Sequence, residues 1–178
     1  MMDEFGKRID ENIGRVPDFP SPGIQFKDIS TLFQNPQLVD EMVDVFASFS
    51  RGKVDAVCGI ESRGFLFGLL IAQKLKLPFV LIRKEGKLPP PTVSESYELE
   101  YGNAVIEIQP KFVSPGMRFL IHDDVLATGG TAEATARLIR KCGGIPSQFS
   151  FIAELLSLGG KQKLLSYSYE IQCLIDYD

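Results

Sequence analysis

Residues 119–131 read FLIHDDVLATGGT. An apolar run leads through His122 into two adjacent acids, Asp123 and Asp124, which the pattern places at the end of a strand. A short turn follows. The small-residue cluster Ala127-Thr128-Gly129-Gly130-Thr131 then opens a helix. A strand that ends in carboxylates and hands over to a glycine-rich helix start suits a sugar phosphate. The carboxylates can accept bonds from ribose hydroxyls, while bare backbone amides and the positive end of a helix can hold a phosphate. Two glycines let the backbone approach the anion with no Cβ in the way.

Outward from this stretch, strand and helix alternate. Phe5, Ile9 and Ile13 mark a helix over 3–13, and Leu38, Met42, Val45, Phe46 and Phe49 mark another over 37–50. Between them, VPDFPSPGIQFKDIS is too rich in turn formers for a helix. Residues 54–60 read as a buried strand, 64–75 as a buried helix and 78–82 as the next strand. Residues 103–109 alternate as an edge or antiparallel strand. The opening stretch supplies a strand over 117–123 and a helix over 131–142, closed by Gly143-Gly144. Residues 148–156 and 171–175 read as further strands. The polar stretch 84–102, which contains Pro89-Pro90-Pro91, reads as a mobile loop. The alternation predicts an α/β fold, with a mostly parallel twisted sheet flanked by helices. Ligands in such sheets sit at the carboxyl ends of strands. Three segments with anion-binding chemistry fall there: Glu61–Gly64, Arg83–Lys87 and Asp123–Thr131.

The bulk numbers narrow the classes. With 178 residues, 44% hydrophobic, the chain is long enough for one domain with a real core. A net charge of −4 gives no basic field for nucleic acid. Three widely spaced cysteines, Cys58, Cys142 and Cys173, suit a reducing compartment rather than a disulfide framework or a structural zinc site. The first residues are charged and amphipathic, and no apolar run is long enough to span a bilayer. The expectation is a cytoplasmic protein without membrane or nucleic-acid partners. Gly59 and Gly64 have P-loop spacing, but Phe65 stands where the lysine belongs, so nucleoside triphosphates are disfavoured.

The Asp-Asp-x-x-Ala-Thr-Gly-Gly-Thr run resembles the phosphoribosyl-diphosphate signature of type I phosphoribosyltransferases. PDFPSPGIQFKDIS (17–30), GIESRGFLFG (59–68), LIRKEGKLP (81–89) and YELEYG (97–102) resemble the adenine-using branch of that family. The resemblance covers nearly the whole chain in the family's order. It implies a type I phosphoribosyltransferase fold over 1–178, with a small N-terminal hood at 1–34 that binds the base and a flexible catalytic loop at 84–102. It implies a reaction in which adenine displaces pyrophosphate from 5-phosphoribosyl 1-diphosphate to give AMP. It also implies magnesium bound through pyrophosphate and water rather than by a dedicated protein cage, and a homodimer whose partner lies near the pyrophosphate strand.

The residues take roles accordingly. Ala127, Thr128, Gly129, Gly130 and Thr131 would bind the 5-phosphate, and Asp123 and Asp124 the ribose hydroxyls. Glu61, Ser62, Arg63, Arg83, Lys84 and Lys87 would form the pyrophosphate side, with a cis peptide at Glu61–Ser62. Phe26 would stack on the purine, the Gln25 and Lys27 backbone would bond its edge, and Leu126 would form the opposite wall. Glu100 resembles the loop acid that exchanges a proton with the purine, with Tyr101 closing over the reacting centre and Arg63 assisting catalysis.

The chain departs from the family pattern in two places. His122 stands where valine is common and reads as a partly buried strand residue with one hydrogen bond. Pro89-Pro90-Pro91 stiffens the base of the loop. A phosphoribosyltransferase for another base, or a non-catalytic regulator on the same fold, would share residues 119–131. The choice of adenine comes from elsewhere, chiefly from residues 17–30 and 97–102.

Overall fold

The structure is a computed structural model that describes residues 3–19, 21–23, 25–98 and 102–178. Asp3 caps the first helix, α1 (Glu4–Glu11), by accepting from the Gly6 amide at 2.7 Å. Two short strands follow, β1 (Gly14–Val16) and β2 (Phe26–Asp28), paired antiparallel with Val16 opposite Phe26. They form the hood. Asn35 caps α2 (Pro36–Ser50), with proline in the first turn, where its missing N–H is harmless. Leu38, Met42, Val43, Phe46 and Ala47 make its buried stripe.

The main sheet then begins with β3 (Ala56–Ile60), buried throughout, followed by α3 (Gly64–Leu75) and β4 (Phe79–Lys84). A hairpin comes next, β5 (Val93–Glu98) and β6 (Asn103–Ile108). The chain continues through β7 (Arg118–Leu126), α4 (Gly130–Lys141), β8 (Ile145–Leu155), α5 (Gly160–Leu164) and β9 (Ile171–Tyr177). The strand order is β5-β6-β4-β3-β7-β8-β9. The run β4-β3-β7-β8-β9 is parallel, and β6 lies antiparallel to both β4 and β5.

Strand pleating sends alternate residues to two cores. Cys58, Ile60, Phe119, Ile121, Phe149 and Phe151 pack with α4 on one face. Val57, Leu120 and Ile152 pack with α1, α2 and α3 on the other. The hood is tied to the far edge of the sheet. Tyr177 donates to Asp10 at 2.6 Å, and the Lys27 ammonium stands 4.1 Å over the Tyr177 ring.

Three expectations change. Residues 103–109 form an antiparallel strand but not the edge, because β5 lies outside it. The stretch 84–102 is therefore not one irregular loop, since it contains that six-residue strand. Its first part is also held: Arg83 Nη1 donates to the Lys87 carbonyl at 3.0 Å, Glu107 accepts from the Lys87 and Leu88 amides at 3.1 and 3.3 Å, and Gln109 donates to the Pro89 carbonyl at 2.7 Å. The Pro90–Pro91 bond is cis. Finally, the strand carrying the acid pair runs on to Leu126, so the acids sit within β7 and not at its end.

Candidate active site

Register sets the site. Gly59 of β3 pairs with His122 of β7, and Ile60 pairs with Ile82 of β4. The carboxyl ends of β3 and β4 thus lie level with Asp123 of β7, three residues before that strand ends. The three strands carry Glu61, Arg83 and Asp123 to one rim, the position that the strand alternation predicts for ligands.

A cleft of about 490 Å³ opens there, lined by Phe26, Glu61, Ser62, Arg63, Lys84, Asp123, Asp124, Val125 and Ala127. A smaller cavity of about 70 Å³ adjoins it, between Asp123 and the loop Ala127–Thr131. Gly129 adopts a left-handed conformation at φ 75°, and no side chain caps α4 behind it. The first amides of α4 have no partner within the helix, so this helix start offers donors and a positive dipole end to the cavity.

The acid pair is sharply differentiated. Asp124 is 5% exposed and forms a 2.9 Å ion pair with Arg63 Nε. Asp123 accepts from the Asp124 amide at 2.9 Å. Burial, and then the neighbouring Asp124 carboxylate, push the Asp123 carboxyl well above the usual carboxylate range, and Arg63 only partly opposes this. The Arg63 guanidinium also stands 5.2 Å over the Phe26 ring, a cation–π geometry. Arg63 thus spans the cleft from Phe26 to the acid pair.

Several predicted residues have other partners. Glu61 and Arg83 hold each other through two bonds of 3.1 Å, and Glu61 also accepts from the Lys84 amide at 2.9 Å. This pairing, chiefly the Arg83 hydrogen bond, lowers the Glu61 carboxyl below its ordinary value. Glu61 therefore ties the end of β3 to the end of β4. Among the predicted cations, Arg63 and Lys84 line the cleft. Arg83 is committed to Glu61, and Lys87 is exposed outside the lining. The Glu61–Ser62 peptide is cis, as the resemblance implied.

On the base side Phe26 lines the cleft, Gln25 is exposed and Lys27 turns to Tyr177. Leu126 is 1% exposed, belongs to the core under α4 and lines the smaller cavity but not the main cleft. Its neighbour Val125 lines the cleft instead. The strand continues past the acids, and its last residues divide between the two cores: Leu126 packs on the α4 side with Phe119 and Ile121, while Val125 packs on the other side with Leu120. Gly64 was also missed. A Cβ there would stand 2.8 Å from the His122 carbonyl and 2.9 Å from Asp123 Oδ1, so only glycine lets α3 begin this close to the acids. Its signal was the glycine directly after the strand-end arginine. Glu100 and Tyr101 lie outside the described residues.

Comparison with known proteins agrees with this geometry. A profile for the phosphoribosyl transferase domain matches residues 28–173. The chain is 50% identical over 170 residues to an adenine phosphoribosyltransferase of Cytophaga hutchinsonii, covering 95% of this chain and 94% of the relative. It superposes with a TM-score of 0.91 on the crystal structure of an adenine phosphoribosyltransferase from Thermoanaerobacter pseudethanolicus, at 42% identity over 97% of this chain and 99% of that one. With the Saccharomyces cerevisiae adenine phosphoribosyltransferase, crystallised with adenine and an iminoaltritol bisphosphate, the TM-score is 0.88 at 36% identity, over 96% of this chain and 98% of that one.

Proposed function

The chain belongs to the phosphoribosyl transferase family, in its adenine phosphoribosyltransferase branch, and from that premise we propose how its residues divide the work. The enzyme transfers the 5-phosphoribosyl group from 5-phosphoribosyl 1-diphosphate to adenine, giving AMP and pyrophosphate. The bond from the anomeric carbon to pyrophosphate breaks, and its electron pair leaves with the pyrophosphate. A bond from that carbon to a purine ring nitrogen forms, and the nitrogen gives up its proton.

The observation that carries this reading is the pair of adjoining cavities. An uncapped helix start lies on one side of Asp123, with Phe26 and Arg63 across the cleft on the other. Ala127, Thr128, Gly129, Gly130 and Thr131 hold the 5-phosphate with backbone amides and hydroxyls. Asp123 and Asp124 accept from the ribose hydroxyls. Arg63, Lys84 and the Ser62 region receive the pyrophosphate, with Arg63 released from Asp124 to do so. Glu61 and Arg83 brace that side, and Lys87 adds charge at its mouth. Phe26 stacks on adenine with Val125 opposite, and the Gln25 and Lys27 backbone bonds the purine edge. Glu100 takes the purine proton, and Tyr101 closes over the reacting centre.

Two adjacent carboxylates face the cleft, and the described residues contain no cluster of three or more His, Cys, Asp or Glu. That donor set fits magnesium held mainly by substrate oxygens and water, with Asp123 and Asp124 bonding its shell. When bound, magnesium neutralises charge that builds on the leaving pyrophosphate. Its exposed leucines, Leu66 and Leu69 on α3 and Leu81 on β4, support a homodimer beside the pyrophosphate strand. The three cysteines are free, which supports a reducing, cytoplasmic setting, and both cores pack on one sheet, which supports a single domain over 1–178.

The test is pyrophosphate release with 5-phosphoribosyl 1-diphosphate, magnesium and, in turn, adenine, hypoxanthine, guanine, xanthine and orotate. Adenine alone is expected to support rapid turnover. Turnover with another base in its place would overturn the assignment.

A further inference from the structure

The phosphate loop rests on a second glycine pair. Gly159 and Gly160 open α5, and Gly160 lies directly behind Ala127–Gly129. A Cβ on Gly160 would overlap the Ala127 carbonyl oxygen, closer than any real carbon–oxygen contact, and would stand 2.9 Å from the Gly129 nitrogen. Reciprocally, a Cβ on Gly129 would stand 2.6 Å from the Gly160 carbonyl oxygen. Backbone meets backbone here with no side chain between.

The contact has a directional consequence. A peptide unit is planar and trans, so its C=O and N–H point opposite ways. With the Ala127 carbonyl facing Gly160, the Thr128 amide of the same unit points away from α5. The α5 side of the contact is also the firmer one. Gly160 and Leu164 are buried, Leu164 wholly within the core; on the loop side Gly129 is buried too, but Ala127 is only half-buried and Thr128 exposed. A group added at position 160 would therefore turn the loop and leave the helix in place.

We propose that Gly160 is a positioning residue for the reaction: its bare Cα sets the plane of the Ala127–Thr128 peptide and so aims the amides that hold the 5-phosphate. This rests on the reading of Ala127–Thr131 as the 5-phosphate site.

Two variants and one measurement on the unaltered enzyme test it. Gly160→Ala is expected to raise KM for 5-phosphoribosyl 1-diphosphate about tenfold or more, the equivalent of one charge-assisted hydrogen bond, with KM for adenine nearly unchanged. Gly159→Ala is the control. Its φ of 63° makes alanine strained, but nothing lies within 4 Å of the added carbon, so it disturbs the same helix start without touching the loop. It is expected to leave both KM values within about twofold. Equal KM values in the two variants would overturn the proposal. If Gly160→Ala does not fold, hydrogen exchange on the unaltered enzyme decides. Ribose 5-phosphate is expected to protect the amides of 128–131 and of 159–161 together. Protection of 128–131 alone overturns the role of Gly160, while no protection at 128–131 overturns the phosphate reading itself.

Discussion

Phe26 meets Arg63 across the cleft, with the guanidinium carbon 5.2 Å over the ring. An aromatic face that attracts a planar cation can also stack a planar base, so the surface that holds Arg63 suits the proposed adenine site. Phe19 packs edge-on against Phe26 at 5.1 Å and helps to hold the ring upright. Base–aromatic stacking contributes about 1–3 kcal/mol, so Phe26→Ala is expected to raise KM for adenine about tenfold. KM for 5-phosphoribosyl 1-diphosphate is expected to change little, and steady-state kinetics with each substrate varied in turn checks this. Residue type alone placed Phe26 no better than any core phenylalanine, and only its motif gave it a role. Leu126 illustrates the opposite failure. A shift of one residue along a strand reverses the face, and the sequence contains no mark of where β7 ends.

At the scale of elements, the β5–β6 hairpin is fastened to α4, the helix that begins in the Ala127–Thr131 loop. Glu95 of β5 receives Arg137 Nε at 2.8 Å and also pairs with Lys141, while Arg137 donates to the Ser96 carbonyl at 3.2 Å. Burial, which would raise the Glu95 carboxyl, is outweighed by these two cations, and the group titrates below its ordinary range. The hairpin leads into the segment that carries Glu100. Arg137 is 33% exposed, which limits the worth of its pair to about 1 kcal/mol. Arg137→Ala is therefore expected to leave the fold intact while speeding proteolytic cleavage of 93–102 about fivefold, read by mass spectrometry of the fragments. The parallel centre of the sheet was legible because its strands are short apolar runs between helices. The β5 strand was not: its solvent-facing serines and glutamates give Val-Ser-Glu-Ser-Tyr-Glu the composition of a loop, and its pairing comes from β6. The hood strands were hidden for a similar reason, being three residues each amid prolines and glycines.

At the scale of the whole molecule, His122 is a source of acid sensitivity. It is fully buried, not partly as its sequence context suggested, between Phe46 and Phe67, with Nδ1 2.8 Å from Ser150 Oγ and Nε2 unpartnered. Burial pulls its pKa down from 6.5 to about 3. The unfolded chain therefore binds a proton that the folded chain refuses. The stability tied to His122 is complete above about pH 6.5 and falls by about 1.4 kcal/mol per unit as pH drops toward 3. Asp123, with its raised pKa, acts in the opposite sense: its contribution is present at low pH and lost as pH rises. His122→Val is expected to lower stability at pH 7 by leaving Ser150 unpaired, yet to flatten the loss between pH 7 and pH 5 by about 2 kcal/mol. Urea unfolding midpoints at the two pH values, compared as slopes, check this.

The tie between hood and sheet edge has a practical, optical consequence. The chain has no tryptophan, so its five tyrosines are its only strong intrinsic fluorophores. Among the described tyrosines, Tyr177 is distinguished by a 2.6 Å hydrogen bond to the Asp10 carboxylate. A carboxylate that accepts a phenol proton is an efficient quencher of tyrosine emission. Any displacement of β2 or α1 against β9 alters that quenching, so the hood carries its own unlabelled light signal.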